Sequence, residues 1–322
     1  MKILFVSKYD KIMASARYRV FFIADILKNN YNYKTDIFII DKYNKKILNS
    51  LNKKFLRYIV NDDYDVIYFH KYFDEKLAQK YKLKNKKLIL SIDDLPADKL
   101  INFNPELVDY VLCGSEYLQK LYNEKGFKTI FFPTLIPKKF LNINYDIHKP
   151  LVISWIGSSG GDKFLLPIFE YLEKVNNNLI FNIVTSKQMF DIDVIKQYKF
   201  VNFIEWKMNK EYKYFDDTDI ILMPLDDSVR SLAKGGFKLL QGMFRGSIPL
   251  AYNTNANKNY VKDGINGFLY KNNEEFFDKL NLILSMDKNK LINIKKEGFK
   301  FIQEKELFLE QQINTLLKEI NK

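Results

Sequence analysis

The 322-residue sequence has few of the features that mark secreted, membrane-spanning or metal-binding proteins. It contains no run of about 18 apolar residues, the length that a bilayer-spanning helix needs. Met1 leads directly into the strand-like KILFVS, which is unlike a signal peptide. The single cysteine, Cys113, excludes an internal disulfide, and we expect it to lie in the core. The two histidines, His70 and His148, have no further metal-ligand residues at suitable spacing in the sequence. These absences predict a cytoplasmic protein without a metal site.

Acidic residues are outnumbered: 51 Lys and Arg against 39 Asp and Glu give a formal net charge of +12. Such an excess can serve nucleic acid, an anionic membrane or an anionic small substrate, and it also fits a lysine-rich solvated surface. No RNP, zinc-finger or helix-turn-helix pattern is present, so we expect no nucleic-acid partner. Electrostatic contact of the basic N-terminal helices with the inner face of a membrane stays open.

Short apolar runs alternate with helical stretches along most of the chain, which predicts βα units on parallel sheets. The alternation stops at residues 133–150, PTLIPKKFLNINYDIHKP, which contain three prolines. The sequence therefore predicts two Rossmann-like, doubly wound α/β domains, 1–147 and 148–300, and a C-terminal helix in 301–322 that could pack back on the first domain. We expect the domains to face each other across a cleft at the carboxyl ends of their strands.

A Gly-Gly turn lies between two lysines in RSLAKGGFKLLQGMF, residues 230–244, where a helix is predicted to begin. Gly235 and Gly236 let the backbone approach a ligand closely and expose N–H groups at the helix start. Lys238, in the first turn, opposes the helix dipole unless it has a negative partner, and Lys234 precedes the turn. A phosphate would be such a partner, although solvated lysines fit the same pattern.

A second glycine cluster, SWIGSSGGDKF, follows a predicted strand at residues 154–164. A glycine-rich turn between a strand and a helix suits phosphate. The cluster has neither the GxGxxG of dinucleotide-binding domains nor the G-K-[ST] of a P-loop, so neither class is predicted. It indicates an anion-binding turn or a merely structural one, with Gly157 and Ser158 as candidates.

These residues carry a family resemblance. Residues 219–270, DIILMPLDDSVRSLAKGGFKLLQGMFRGSIPLAYNTNANKNYVKDGINGFLY, resemble the donor-site region of the retaining, GT-B-fold glycosyltransferases of the family four type. SARYRVFFIADIL, LILSIDDLP and CGSEYLQKLY resemble segments of one branch of that group. The resemblance covers most of the chain and implies the GT-B fold.

The resemblance also implies site roles. Lys234 and Lys238 would neutralise the diphosphate of a nucleotide-sugar donor, and Lys238 would act in catalysis on the leaving group. The backbone at Gly157 and Ser158 would help to neutralise the diphosphate. Fixed cations can stabilise a leaving diphosphate without a metal ion, so none is predicted.

The sequence departs from the family at two glutamates that, in many relatives, have seven residues between them. Gln241 occupies the second position and could bind ribose hydroxyls, whereas Ala233 occupies the first. Recognition of the donor sugar must then come partly from other residues. The candidates are Gly235, Gly236, Phe237, Arg230 and Asp227.

In the first domain, Asp93 stands where relatives carry a histidine that faces the sugar. A carboxylate there could orient the acceptor hydroxyl or stabilise positive charge at the anomeric carbon, although it could also cap a helix. Arg17 and Arg19, after the first strand, are candidates for binding an anionic acceptor or the donor phosphates, and we expect one of the two to be structural. His70 ends a predicted strand and could line the cleft.

The leading hypothesis is a retaining glycosyltransferase of the hexosyltransferase class. It would move a sugar from a nucleotide diphosphate donor to a glycan or lipid-linked acceptor, in the synthesis of a cell-surface polysaccharide or glycoconjugate. The donor is a substrate, so no cofactor is predicted. Two alternatives remain: a nucleotide-sugar epimerase of the same fold, for which Ala233 leaves room, and a basic nucleic-acid-binding module.

Overall fold

The computed structural model describes residues 1–40, 64–157, 162–174, 179–186, 195 and 197–321. They form an α/β protein with two parallel sheets, each of six strands within these ranges. The predicted pair of doubly wound α/β domains is confirmed. The first compact unit comprises Met1–Lys138, Ala233–Gly235 and Phe308–Lys322, and the second comprises Lys139–Leu232 and Gly236–Leu307.

The first sheet alternates with helices up to residue 138. Its strands are β1 (Lys2–Ser7), β2 (Lys34–Ile39), β3 (Val66–His70), β4 (Lys87–Ile92), β5 (Tyr110–Cys113) and β6 (Thr129–Phe131). The helices are α1 (Phe22–Tyr31), α2 (Glu75–Lys82) and α3 (Glu116–Asn123), with a helical turn at Ala14–Ala16 and a π-helix at Arg17–Phe21 leading into α1. Short 3₁₀ turns lie at Asp98–Leu100, Pro105–Leu107 and Lys138–Phe140.

The second sheet follows the same alternation. Its strands are β7 (Leu151–Ile156), β8 (Leu179–Thr185), β9 (Val201–Glu205), β10 (Ile220–Met223), β11 (Ile248–Tyr252) and β12 (Phe268–Tyr270). The helices are α4 (Asp162–Lys174), α5 (Lys213–Asp216), α6 (Val229–Leu232), α7 (Phe237–Met243), α8 (Asn255–Lys258), α9 (Asn273–Ser285) and α10 (Lys288–Glu304). A 3₁₀ turn lies at Met208–Lys210, and α11 (Leu309–Ile320) returns to the first unit.

Both sheets reverse their strand order at one point. The first has the order β2-β1-β3-β4-β5-β6 and reverses between β1 and β3. The second has the order β12-β11-β10-β7-β8-β9 and reverses between β7 and β10, as in a Rossmann fold. Ligands of such sheets bind beyond the carboxyl ends of the strands at this reversal. The loops after β1, β3, β7 and β10 are therefore where a site is expected.

The inner strands are mostly apolar and buried because helices cover both faces of each sheet, whereas the edge strands β2 and β9 are partly exposed. All five residues of β3 are buried, for example. One core includes Phe69, Phe103 and Tyr122, and another includes Phe169 and Phe181, whose rings meet edge to face. Cys113 is a free, buried thiol in the first core, as predicted. Among the helices that the structure describes, none is long and apolar enough to cross a membrane.

Candidate functional site

Two of the predicted donor-site residues, Gly157 and Lys238, meet at one tryptophan in the second unit. Gly157 follows β7 at the reversal of the sheet, and a Cβ on it would collide with the indole ring of Trp155. The Nζ atom of Lys238 lies 5.5 Å from the centre of the same ring, within cation–π range. Trp155 is itself buried. The indole therefore holds a lysine ammonium beside a glycine turn at the switch point.

The start of α7 explains the second glycine of the Gly-Gly pair. Gly236 has φ 70° and ψ 10°, the left-handed conformation that favours glycine. A Cβ at this position would lie 2.8 Å from Cδ2 of Tyr260 and 3.3 Å from Oδ1 of Asn257. Phe237 and Lys238 follow as half-buried residues of the first turn. Glycine is required both for the turn and for the close approach of Tyr260.

Gln241, the predicted ribose ligand, lies on α7 with 4% of its surface exposed. Its Nε2 atom donates a hydrogen bond of 3.1 Å to Oε1 of Glu211, which is 7% exposed. Sequence reasoning missed Glu211, because no local pattern links two residues that lie 30 positions apart. A carboxylate thus lies next to Gln241, and it comes from another segment of the chain. Binding of ribose by Gln241 stays a prediction.

The loop after β10 carries a second group of polar residues. The predicted sugar contacts Asp227 and Arg230 are exposed. Asp226, which was not predicted, binds Nζ of Lys163 at 2.7 Å and accepts hydrogen bonds from the hydroxyls of Ser228 and Ser231. The hydrogen bond from Lys163, followed by those from the two serines, holds the pKa of Asp226 well below its usual range. The Asp226 carboxylate therefore stays ionised next to Asp227, paired with a lysine of α4.

Lys234 and Gly235 belong to the first unit. Their neighbour Ala233 is fully buried, and its carbonyl accepts a hydrogen bond of 2.9 Å from Oγ of Ser115. A Cβ on Gly235 would collide with the carbonyl oxygen of Gly114. Gly114 in turn leaves no room for a Cβ, which would lie 2.7 Å from Cα of Asp93.

The structure thus brings Ala233–Gly235 and Asp93 together at the carboxyl ends of β4 and β5. The other lysine of the motif, Lys238, belongs to the second unit. Ser158 lies outside the described residues.

Asp93 forms an ion pair with Lys71, whose Nζ atom lies 2.9 Å from Oδ1. Burial alone would raise the pKa of Asp93, but the charges of Lys71, His70 and Arg19 outweigh it and lower the pKa to about 2. The 3₁₀ helix that follows has Ala97 at its N-cap and no side-chain cap. Asp93 caps none of the described helices, so the capping alternative does not apply to them.

The two predicted arginines are buried. Arg19 is 1% exposed, and its guanidinium donates to the hydroxyls of Ser91 and Thr134 and to backbone carbonyls of Leu112 and Phe132. Arg17 is 6% exposed. It donates to the carbonyls of Lys11 and Ile12 at 2.7 Å and 2.9 Å. Both guanidinium groups fix the segment after β1 in place. Anion binding by either arginine stays a prediction, and for Arg19 it would require some of these bonds to break.

His70 ends β3 and is fully buried. Its Nδ1 atom lies 3.4 Å from Oγ of Ser91, and Nε2 lies 3.5 Å from Oγ of Ser15. Burial lowers the pKa of His70 to about 3, so the imidazole is neutral at neutral pH. Within the described ranges, no three His, Cys, Asp or Glu side chains are grouped so that they could hold a metal ion.

Comparison with known proteins gives structural relatives only. No protein-family model and no curated protein matches the chain. HepE of Anabaena, in complex with UDP and glucose, is 14% identical with a TM-score of 0.71, over 100% of this chain and 99% of that chain. Sucrose-phosphate synthase from Thermosynechococcus elongatus is 12% identical with a TM-score of 0.76, over 99% of this chain and 98% of that chain. A glycosyltransferase from Rickettsia africae is 15% identical with a TM-score of 0.73, over 100% of this chain and 98% of that chain. At these identities the likeness shows the fold, and the chain has the GT-B fold.

Proposed function

We propose that this chain is a retaining, metal-independent glycosyltransferase that binds the nucleotide diphosphate of its donor on the second unit. The observation that carries the proposal is the position of Lys238, whose ammonium is held over Trp155 beside Gly157 at the reversal of the sheet. A fixed cation at the carboxyl end of the strands is suited to a bound anion.

In the proposed reaction, the ammonium of Lys238 acts on the leaving diphosphate. The bond between the anomeric carbon and the diphosphate oxygen breaks, and its electron pair stays on the diphosphate. The acceptor hydroxyl oxygen forms the new bond on the same face of the sugar, and its proton goes to the leaving oxygen. Lys238 stabilises the negative charge that grows on the diphosphate. Removing a single such interaction typically costs roughly 10²- to 10³-fold in rate.

Uridine diphosphate is the first nucleotide to test, because HepE was solved in complex with UDP and with UDP-glucose. We propose Asp227, Arg230 and the amides of Gly236 and Phe237 as contacts to the donor sugar. Their position next to the hydrogen-bonded group of Asp226, Ser228 and Ser231 supports the first two.

For the acceptor we propose a glycan or a lipid-linked saccharide, handled in the cytoplasm during synthesis of a polysaccharide or glycoconjugate. The formal net charge of +12 supports contact with an anionic membrane surface, where lipid-linked acceptors reside. A membrane contact of this kind weakens as salt screens the charges. Vesicle sedimentation with anionic and neutral lipids at low and high salt would test it.

Thermal-shift measurements with UDP, GDP, ADP and CDP, without and with magnesium, test the donor site directly. A ligand that binds only the folded state stabilises it by mass action, by about 2.7 kcal/mol at 100 times its Kd. We expect one diphosphate to raise the Tm without magnesium, and Lys238→Ala to abolish the effect. Lys288→Ala is the matched control, because Lys288 is an exposed lysine of the same unit.

The result that would overturn the proposal is stabilisation by any polyanion without preference for a nucleotide. Transfer itself is measured as release of the nucleoside diphosphate that depends on an acceptor, and the anomeric proton of the product reports retention. Donor conversion without any acceptor would favour the epimerase alternative instead.

A further inference from the structure

Lys71 has an uncommon backbone conformation at the end of β3. It directly follows His70 and has φ 50°, in the left-handed region that residues with a Cβ rarely adopt. Its amide donates a hydrogen bond of 3.2 Å to the carbonyl of Ser91 on β4. Such conformations persist where the surrounding structure holds them, and they cluster at functional sites.

The side chain of Lys71 lies along the end of β4 and meets one oxygen of Asp93. Nζ is 2.9 Å from Oδ1, and the two side chains are 19% and 14% exposed. Among the described residues, no group donates a hydrogen bond to the second oxygen, Oδ2. Gly114, which follows β5, lies against Cα and Cβ of Asp93, so the backbone of Asp93 is packed from that side.

The other ionisable groups around Asp93 leave Lys71 as its direct partner. Arg19 acts on Asp93 only through space, because its donors are bonded to neutral acceptors. His70 is neutral at neutral pH, since burial lowers its pKa to about 3. The Tyr68 phenol is buried, and burial raises its pKa, so it carries no charge near neutral pH. Asp94, the next residue, acts electrostatically on Lys71.

We propose that Lys71 is a positioning residue for Asp93: it holds Oδ1 and keeps the carboxylate charged, so that Oδ2 can accept a hydrogen bond from a sugar hydroxyl. The identity of that ligand rests on the proposed function, whereas the coupling of the two side chains does not. A carboxylate that stays ionised is a weak base, so it orients the hydroxyl or stabilises positive charge on the sugar without taking a proton. The pKa of about 2 for Asp93 supports this role.

The coupling is tested by following the ¹³C carboxyl resonances of aspartate as a function of pH, with Asp93→Asn to assign the signal. Lys71→Met keeps a long aliphatic side chain and a Cβ on the left-handed backbone, and it removes the positive charge. We expect the titration midpoint of Asp93 to rise by about one pH unit or more in this variant, because an opposite charge at this distance shifts a carboxyl by that much. Lys71→Arg should keep the wild-type behaviour.

Lys82→Met is the matched control, since it removes a lysine that binds Asp109 of the same unit at 2.6 Å and leaves Asp93 untouched. If Lys71→Met does not fold, Lys71→Gly removes the same charge and suits a left-handed backbone. An unchanged Asp93 titration in the variant that folds would overturn the positioning role.

The ligand is tested by sugar transfer. We expect Lys71→Met to lower kcat/KM at least 10-fold and to make kcat/KM fall further as the pH becomes acidic. Lys71→Arg should keep the wild-type kcat/KM and pH profile. A loss confined to the KM for acceptor would assign the hydroxyl to the acceptor, and weaker calorimetric binding of the donor alone would assign it to the donor. Unchanged kinetics would refute a role in sugar binding. If the wild type transfers no sugar at all, the proposed function fails, and the NMR titration still decides the coupling.

Discussion

Gly157 is the point where the backbone of the glycine-rich turn passes the indole of Trp155. A Cβ there would enter the space of the ring, and Trp155 cannot move freely because it is 6% exposed. We therefore expect Gly157→Ala to lower the free energy of unfolding by about 1–3 kcal/mol through overpacking. The displaced indole would also move Lys238, so nucleotide stabilisation should be lost.

Urea unfolding and nucleotide thermal shifts measure the two effects. Gly298→Ala is the matched control, because a Cβ at this position in α10 would meet Cε of Met243 at an ordinary 3.6 Å. In a helix the change from glycine to alanine stabilises by roughly 0.5–1 kcal/mol. Equal stability of the two variants would contradict the tight contact at Trp155.

His70 makes the stability of the first unit depend on pH. Its pKa is about 3 when folded, against an ordinary value of 6.5. Between these values the unfolded chain binds more protons than the folded one, so stability is fully present above about pH 6.5 and falls as the pH falls towards 3. The slope that one histidine contributes is at most about 1.4 kcal/mol per pH unit.

We expect the free energy of unfolding, measured by urea titration between pH 7 and pH 5, to fall more steeply in the wild type than in His70→Asn. His70→Gln, whose side chain also takes up no proton in this range, should give the same shallower slope as His70→Asn. Parallel pH dependence of the wild type and His70→Asn would contradict the burial of an uncharged imidazole.

Two helices of the first unit begin with equivalent side-chain caps, but only one cap touches the predicted donor motif. Asp74 caps α2 through the amide of Leu77, and Ser115 caps α3 through the amide of Leu118. The Ser115 hydroxyl also donates to the carbonyl of Ala233. We expect Ser115→Ala and Asp74→Ala each to cost about 1 kcal/mol of stability, the usual value of an N-cap.

Only Ser115→Ala should also weaken binding of the donor nucleotide, because it releases Ala233, in the segment that leads into Gly236 and the first turn of α7. Denaturant titrations and isothermal calorimetry on both variants separate the two effects. If both variants bind the nucleotide equally well, the hydrogen bond to Ala233 does not organise the donor motif.

Local patterns accounted for the secondary structure better than for the site. The alternation of apolar runs and helical stretches predicted the parallel sheets, and the Gly-Gly pair predicted the turn at Gly236. These features depend on neighbouring residues. The pairs Lys71–Asp93 and Gln241–Glu211 join segments that only the folded sheets bring together, so no periodicity reveals them. The burial of Arg19 escaped prediction for the same reason, since its acceptors come from strands far along the chain.

Across the whole molecule, the C-terminal helix is part of the first unit. The amide of Leu309 donates to the carbonyl of Ile136, and Nζ of Lys87 donates to the carbonyls of Glu319 and Ile320. Leu309, Ile313 and Leu316 are buried on the apolar side of α11. A chain that ends at Leu307 therefore loses these contacts and exposes their apolar partners.

We expect hydrogen exchange of this shortened chain to become faster in β1 to β6 and to stay unchanged in β7 to β12. Mass spectrometry of peptic peptides resolves the two sheets. A chain that ends at Leu317 is the control, because it keeps most of α11. Uniform loss of protection in both sheets would contradict the assignment of α11 to the first unit.

The division of the chain also sets an order for its synthesis. The first unit is built from Met1–Lys138, from Ala233–Gly235 and from Phe308–Lys322. A ribosome makes every residue of the second unit before it makes the last segment of the first. The strands of the first sheet are therefore made before the second unit, but the first unit is completed only after it. Until α11 leaves the ribosome, the apolar surface that α11 covers is without its partner.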